Sequence, residues 1–362
     1  MKNIHHPSEI LDADTITLIK GEAAAAERLE AMTPKLLELI YSRQWFRLLA
    51  PKAYNAPEMD LPEIVRLEEA IAWCDGSTGW VVTLCAGASW FGGFISPKAA
   101  TIFNDVQVCL GGSGAATGTA EITADGFLVN GKWLHATGSP HVTVFTANCV
   151  ITKNKIPVKD DSGNELIKPF FFLNDEVTRI HTWTSVGMVA TASNAYEVKN
   201  LAVPTERCFS LKTEDAVIPS NLYKYPFLQL AEATLAANIS GMALHFLEEA
   251  LELVKYKNER QQLIALPAIS NAINTLTNNR ASFYTQLDAS WEELNINGCI
   301  TEKTLAALST VSRKLANEAI QLTDRCFPYC GLAAASKETV INRTWRDIHT
   351  ASQHSLLAYP VL

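Results

Sequence analysis

The hydrophobic period of this 362-residue chain changes twice, and those changes constrain its fold more than any other feature. Up to about residue 105, apolar residues recur at helical spacing. From about 106 they alternate, as side chains on successive faces of a strand do, and from about 220 the helical spacing returns. One element cannot carry both periods. The pattern therefore predicts three units: a helical domain over 1–105, a β-domain over 106–212 and a helical bundle over 213–362.

The turning point is residues 110–139, LGGSGAATGTAEITADGFLVNGKWLHATGS. Gly111 to Gly118 reads as a glycine-rich turn. It is neither G-x-G-x-x-G before a helix nor a loop ending in Gly-Lys-Ser/Thr, which excludes the two common nucleotide-binding loops. Its backbone N–H groups remain free to donate to an anionic ligand such as a pyrophosphate. Asp125-Gly126 and Asn130-Gly131 suit two-residue hairpin turns, so a tight antiparallel meander is expected. Further strands are expected at 142–152, 166–173, 177–183 and 193–202, with a loop at 160–164 between the first two. Pro204 closes the β region.

On the N-terminal side, 8–50 reads as two helices, the first capped by Ser8 and the second opened by Thr33-Pro34. A third helix is expected at 61–74, with Asp60 and Glu63 as a capping box. A fourth, 78–93, is apolar nearly all round and so is expected to be buried on every side. Ser96-Pro97 opens a short fifth. After 220, helices at 226–256, 265–294, 302–327 and 338–357 form a four-helix bundle. Gly241, among Ala236, Ala237 and Ala243, permits a close helix contact.

Composition narrows the function. A net charge of −8 argues against a general nucleic-acid binder, which needs a basic surface. The first twenty residues lack the apolar core of a signal peptide, and no stretch is apolar enough for a membrane span, so a cytoplasmic chain is expected. The eight cysteines are scattered in apolar surroundings and read as buried thiols, with no metal-ligand spacing among them.

Four stretches carry a resemblance. They are Gly131-Lys132-Trp133-Leu134-His135-Ala136-Thr137-Gly138-Ser139, the segment Trp183 to Ser193 (WTSVGMVATAS), Leu201-Ala202-Val203-Pro204, and Arg343-Thr344-Trp345-Arg346-Asp347. In order and spacing they resemble the acyl-CoA dehydrogenase superfamily. That resemblance implies an α+β multidomain fold: an N-terminal helical domain, a middle antiparallel β-barrel-like domain and a C-terminal four-helix bundle. Asp75-Gly76-Ser77-Thr78-Gly79-Trp80 and His354 look like the flavin-dependent monooxygenase branch, related to p-hydroxyphenylacetate hydroxylase and dibenzothiophene monooxygenase. The Tyr-Glu-Gly-Thr stretch of many dehydrogenases is replaced by Ser336-Lys337-Glu338-Thr339.

The resemblance implies an oxygenase that takes FAD or FMN, reduced by a separate flavin reductase, and acts with O2 on a small apolar or aromatic molecule. The alternatives are an α,β-dehydrogenase of acyl-CoA esters and a non-catalytic relative with an assembly role. The implied cofactor residues are Ser113, Gly118, Thr119, His135, Thr137, Gly138 and Ser139, with Thr137 facing the flavin. His354 and His135 are the candidate catalytic groups, His354 being placed on one face of the last helix with Asp347. Trp80, Trp183, Met188 and Trp345 are the candidate pocket wall. Arg346 and Asp347 read as a buried charge pair or bundle clamp. A homotetramer is expected through the C-terminal bundle.

Overall fold

The structure is a computed structural model and describes residues 5–358. Its first helix, α1 (Ala13–Leu29), is capped by the Asp12 carboxylate, which accepts from Thr15 N–H. Ser8 instead lies in a short 3-10 turn before it. Thr33 caps α2 (Pro34–Ser42), with proline at its first position as expected. The third helix, α3 (Leu61–Cys74), has the expected bounds, but Asp60 makes no side-chain capping bond. The fourth, α4 (Gly76–Ser89), starts two residues early because the Asp75 carboxylate caps it through Thr78 N–H. A 3-10 turn at Trp90–Gly93 completes the apolar run. The short fifth helix is a 3-10 segment, Ala100–Asn104.

The β region forms one sheet of seven strands among the described residues: β1 (Leu110–Thr123), β2 (Gly126–Ala136), β3 (Val144–Lys153), β4 (Ile156–Pro157), β5 (Ile167–Leu173), β6 (Thr178–Ile180) and β7 (Asn194–Pro204). The order is β4-β3-β1-β2-β7-β6, with β5 also on β3. All pairs are antiparallel except β1 with β3, which run parallel because a crossover between them replaces the expected meander. The inner face is aromatic: Trp133 stacks on Tyr196 at 5.3 Å, and Phe145, Phe170 and Phe172 are buried on the same face.

Two expectations about glycines fail here. Gly111 to Gly118 is not a turn but part of strand β1, whose register against β3 slips between Ser113 and Gly118. Asn130-Gly131 is not a hairpin turn either; it lies inside β2, at a register shift against β7. The reason is packing. A Cβ on Gly131 would come within 2.5 Å of the Trp133 ring, and one on Gly118 within 2.2 Å. Both glycines make room for one indole. The chain does turn beside Asp125-Gly126, but the two-residue loop is Ala124-Asp125, and Gly126 already pairs with Thr123 as the first residue of β2.

After β7 come α5 (Asn221–Lys224), α6 (Phe227–Lys255), α7 (Glu259–Asn297), α8 (Glu302–Cys326), α9 (Leu332–Ala335), α10 (Val340–Ala351) and α11 (Ser355–Ala358). The long helices α6, α7, α8 and α10 carry the expected bundle. At Gly241 α6 touches α3 so closely that a Cβ would lie 2.3 Å from the Glu69 carbonyl oxygen. The eight cysteines are free; Cys299 is exposed, against expectation, and Cys208 is half-buried. No helix among the described residues is long and apolar enough to cross a membrane.

Candidate functional site

Helix α4 is the pillar of the site. Of Gly76 to Ser89, only Leu84 and Gly87 are not buried, and Phe91 continues the same stripe in the following turn. Residues 80, 84, 87 and 91 share one helical face. Every residue on it is apolar, and a Cβ added at Gly87 would meet no atom within 4 Å. At one end of this stripe Trp80 meets the His354 ring edge-on, with centroids 6.0 Å apart. At the other, Phe91 packs on Phe209 and Phe227, at 5.7 and 5.6 Å.

The end of β2 lies against the next face of α4. Gly138, with φ of 70°, brings its Cα side to Cys85 and Val81. Its N–H donates to the Thr191 carbonyl oxygen at 2.8 Å. Thr137 is buried, and its hydroxyl lies 3.0 Å from that of Ser193, which lies 2.9 Å from that of Thr191. Thr191 donates to the Met188 carbonyl oxygen at 2.7 Å. Ser139 donates to the Ala192 carbonyl oxygen and accepts from the Asn194 amide. The segment Thr137-Gly138-Ser139 is thus clamped between the 188–194 loop and α4.

His135 is exposed, has φ of 65° and meets Trp183 edge-on at 5.9 Å. The pairing of β2 with β7 slips between Trp133 and Ala136, so Leu134 and His135 both point outward where strict alternation would turn His135 inward. This bulge, not a hairpin, decides where His135 points. A non-glycine residue held at positive φ costs on the order of 1–3 kcal/mol, which the surrounding ladder must impose.

The C-terminal helix joins the site through its carboxylate. Asp347 and Arg346 do not pair with each other. Asp347 Oδ1 accepts from Met188 N–H at 2.5 Å, while Oδ2 is buried without a partner. Burial, with the Asp75 charge beside it, pushes its carboxyl up to about 8. Arg346 reaches the other way, to Glu27 at 2.5 Å and the Val186 carbonyl oxygen. His354 is not on the last long helix: α10 ends at Ala351, and His354 stands in the turn before α11. Burial lowers its imidazole below the usual range, which keeps it neutral at pH 7. Its Nδ1 accepts weakly from Leu356 N–H at 3.4 Å, which places the ring proton on Nε2.

The remaining expected residues scatter. Gly118 is spent on the Trp133 ring, Thr119 is exposed, and Ser113 is half-buried at the edge of the β1 slip. Trp183 donates from its indole to the Met188 carbonyl oxygen at 2.9 Å. The Met188 side chain is buried. Trp345 turns away towards Phe327, His349 and Asp324. Glu338 is exposed before α10. Cys85 and the stripe at Leu84 and Gly87 were not singled out from sequence; an apolar helix gives no sign of which of its faces stays open.

Residues 233–359 match the family model of the acyl-CoA dehydrogenase C-terminal domain. The chain has an acyl-CoA dehydrogenase-like fold, and its C-terminal region is similar in sequence to that family. Among the proteins it is similar to are flavin-dependent monooxygenases. It is 27% identical to the oxygenase subunit HsaA of a flavin-dependent monooxygenase from Rhodococcus jostii strain RHA1, over 95% of this chain and 93% of that protein. It is 21% identical to the oxygenase component of p-hydroxyphenylacetate 3-hydroxylase from Acinetobacter baumannii, over 95% and 84%. The structure of XiaF from Streptomyces sp., solved with FADH2 and glycerol, superposes with a TM-score of 0.83 over 97% of this chain and 92% of that one, at 18% identity.

Proposed function

We propose that this chain is the oxygenase component of a flavin-dependent monooxygenase acting on a small apolar or aromatic substrate, with a separate reductase supplying reduced FAD or FMN. The observation that carries the reading is the open apolar stripe of α4, which ends at the Trp80–His354 pair and runs beside the face that packs on the clamped Thr137-Gly138-Ser139. An aromatic substrate suits such a surface, since flat rings gain from burial and edge-on contacts.

The residues present fit a flavin. In β1, residues 114–117 have no register partner in either neighbouring strand; the Gly114 carbonyl oxygen accepts from the Asn148 amide and Ala115 N–H reaches the Ser113 hydroxyl, which leaves the backbone of Ala116 and Thr117 for a phosphate or ribityl chain. A Cβ at Gly114 would meet nothing. Ser113, Thr137 and the backbone of Gly138 and Ser139 would hold the ligand on that side, with His135 and Trp183 at its rim. Bound reduced flavin supplies the electrons that activate O2, one oxygen atom going to the substrate and the other to water. The buried neighbours of α4 exclude water from that chemistry. Neutral His354 holds a proton at Nε2 for donation within the cleft.

The dehydrogenase reading needs a carboxylate base in a dry site, and Glu338 is exposed. We further propose the domain division 1–105, 106–212 and 213–362, a cytoplasmic location and a homotetramer through the bundle, where Leu263 and Ile264 of α7 are 78% and 59% exposed. Sedimentation checks the last. Anaerobic titration with reduced FAD and reduced FMN tests the main reading. Saturable binding, followed by O2-dependent hydroxylation of an aromatic substrate, is expected. Failure to bind either flavin, or bleaching of bound oxidised flavin by an acyl-CoA, would overturn it.

A further inference from the structure

The hydroxyl chain behind Thr137 has a fixed direction. A carbonyl oxygen only accepts, so Thr191, 2.7 Å from the Met188 carbonyl oxygen, spends its single proton there. Ser193, 2.9 Å from Thr191, can then share that contact only by donating to it. Thr137, 3.0 Å from Ser193, must donate in turn. Reversing any one bond leaves two oxygens facing each other without a proton between them. All three side chains are buried, at 6%, 0% and 4% exposure for Thr137, Thr191 and Ser193, so bulk water is poorly placed to repair such a reversal. The anchor is itself held, since Met188 N–H is bound to Asp347 Oδ1 and its carbonyl also receives the Trp183 indole N–H.

Thr137 therefore keeps lone pairs for a ligand but has no proton to offer it. We infer that Ser193 and Thr191, which touch no ligand themselves, set the redox-state selectivity of the site by fixing Thr137 as an acceptor. The inference rests on the reading above, in which a flavin lies against Thr137. Reduced flavin presents a ring N–H at N5, and Thr137 accepts from it. Oxidised flavin presents a bare nitrogen at the same place, and two lone pairs then oppose each other. Selection of the reduced form is thus built into the order of three hydroxyl protons and the carbonyl that pins them.

Removing either inner hydroxyl frees the Thr137 proton to turn outward. In Ser193→Ala, Thr137 loses its acceptor. In Thr191→Val, a nearly isosteric change, Ser193 loses its own and can donate to Thr137 instead. Both variants gain a donor towards oxidised flavin, whereas Thr191→Ser keeps the chain. The experiment measures dissociation constants for oxidised and reduced flavin, the latter anaerobically, for the full-length protein and all three variants. The wild type is expected to prefer reduced flavin. In Ser193→Ala and Thr191→Val that preference should fall about tenfold, which corresponds to a drop of about 30 mV in the bound two-electron potential. Thr191→Ser should retain the wild-type ratio. An unchanged ratio in both disrupting variants, with flavin still bound, would overturn this inference alone. Absence of binding of either form by the wild type would overturn it together with the proposed function.

Discussion

Glu68 and Glu69 are neighbours on α3, both buried, and they differ in what surrounds them. Glu69 meets Arg280 at 2.7 Å and also accepts from the Tyr284 and Ser240 hydroxyls. Burial alone would raise its carboxyl, but Arg280 and these donors bring it below the usual carboxylate range. Glu68 has no hydrogen-bond partner at either oxygen, and burial pushes it well above that range. A group that already carries its proton loses no charge on becoming an amide. Glu68→Gln is therefore expected to cost less than about 1 kcal/mol at pH 7. Glu69→Gln strands the Arg280 charge and should cost about 3–5 kcal/mol. Urea denaturation of the two variants checks this, and equal losses would contradict it. In sequence the two residues are an indistinguishable Glu-Glu pair on a helix. What separates them is an arginine 211 positions away, which no local pattern announces. The same limit applied to Thr137. The Thr-Gly-Ser that follows β2 drew attention to it in sequence, but the hydroxyls it lies beside, Ser193 and behind it Thr191, are 54 to 56 positions further on.

Among the elements, α4 shows what periodicity conveys and what it omits. An apolar helix without a polar face was correctly read as buried, yet the same uniformity hid its one open stripe. Two glycines on this helix make the distinction measurable. At Gly79 a Cβ would lie 2.6 Å from Ala72 Cα, whereas at Gly87 nothing stands within 4 Å. Gly79→Ala should destabilise by about 2 kcal/mol or more through overpacking between α3 and α4. Gly87→Ala should stabilise by about 0.5–1 kcal/mol, the ordinary gain from replacing a helical glycine. Gly87→Leu should fold as well but obstruct the stripe and weaken binding of an aromatic substrate at least tenfold. Thermal unfolding separates the first two and substrate titration reads the third; a Gly87→Leu protein with unchanged affinity would show that the ligand lies elsewhere. The strands repeat the lesson. The chain turns beside Asp125-Gly126, but at Ala124-Asp125, neither of which has positive φ; Gly126, at φ of 143°, opens β2. Asn130-Gly131 looked identical but answered to a tryptophan two residues on. Turn chemistry is local and legible. Close approach to a side chain is settled only once the sheet curls around it.

At the scale of the whole molecule, Asp347 is where the three regions meet. It comes from α10, its Cβ lies 3.1 Å from the place a side chain on Gly76 of α4 would take, and its Oδ1 holds the loop that follows β6 through Met188. Asp75, next to Gly76, faces it, with Arg343 lying 3.8 Å from Asp75. The R-x-x-R-D pattern made this residue conspicuous in sequence, as part of a buried charge pair or a bundle clamp with Arg346. The helix instead sends the two side chains to different neighbours. An aspartate raised from an ordinary 3.8 to about 8 binds its proton more tightly folded than unfolded. Between those values the unfolded chain has lost that proton and the folded one has kept it, so stability falls as pH rises and levels off above about 8. His354 acts with the opposite sign, because burial lowers its imidazole and stability is lost as pH falls below its unfolded value near 6.5. Subtracting a variant isolates the carboxylate. Asp347→Asn keeps an oxygen for Met188 N–H and removes the titration. Between pH 5 and pH 8 the wild type should lose stability relative to Asp347→Asn by at least about 1 kcal/mol, read as the difference between their urea midpoints at each pH. Parallel pH curves for the two proteins would mean that Asp347 is ionised throughout, with Arg343 closer to it than to Asp75.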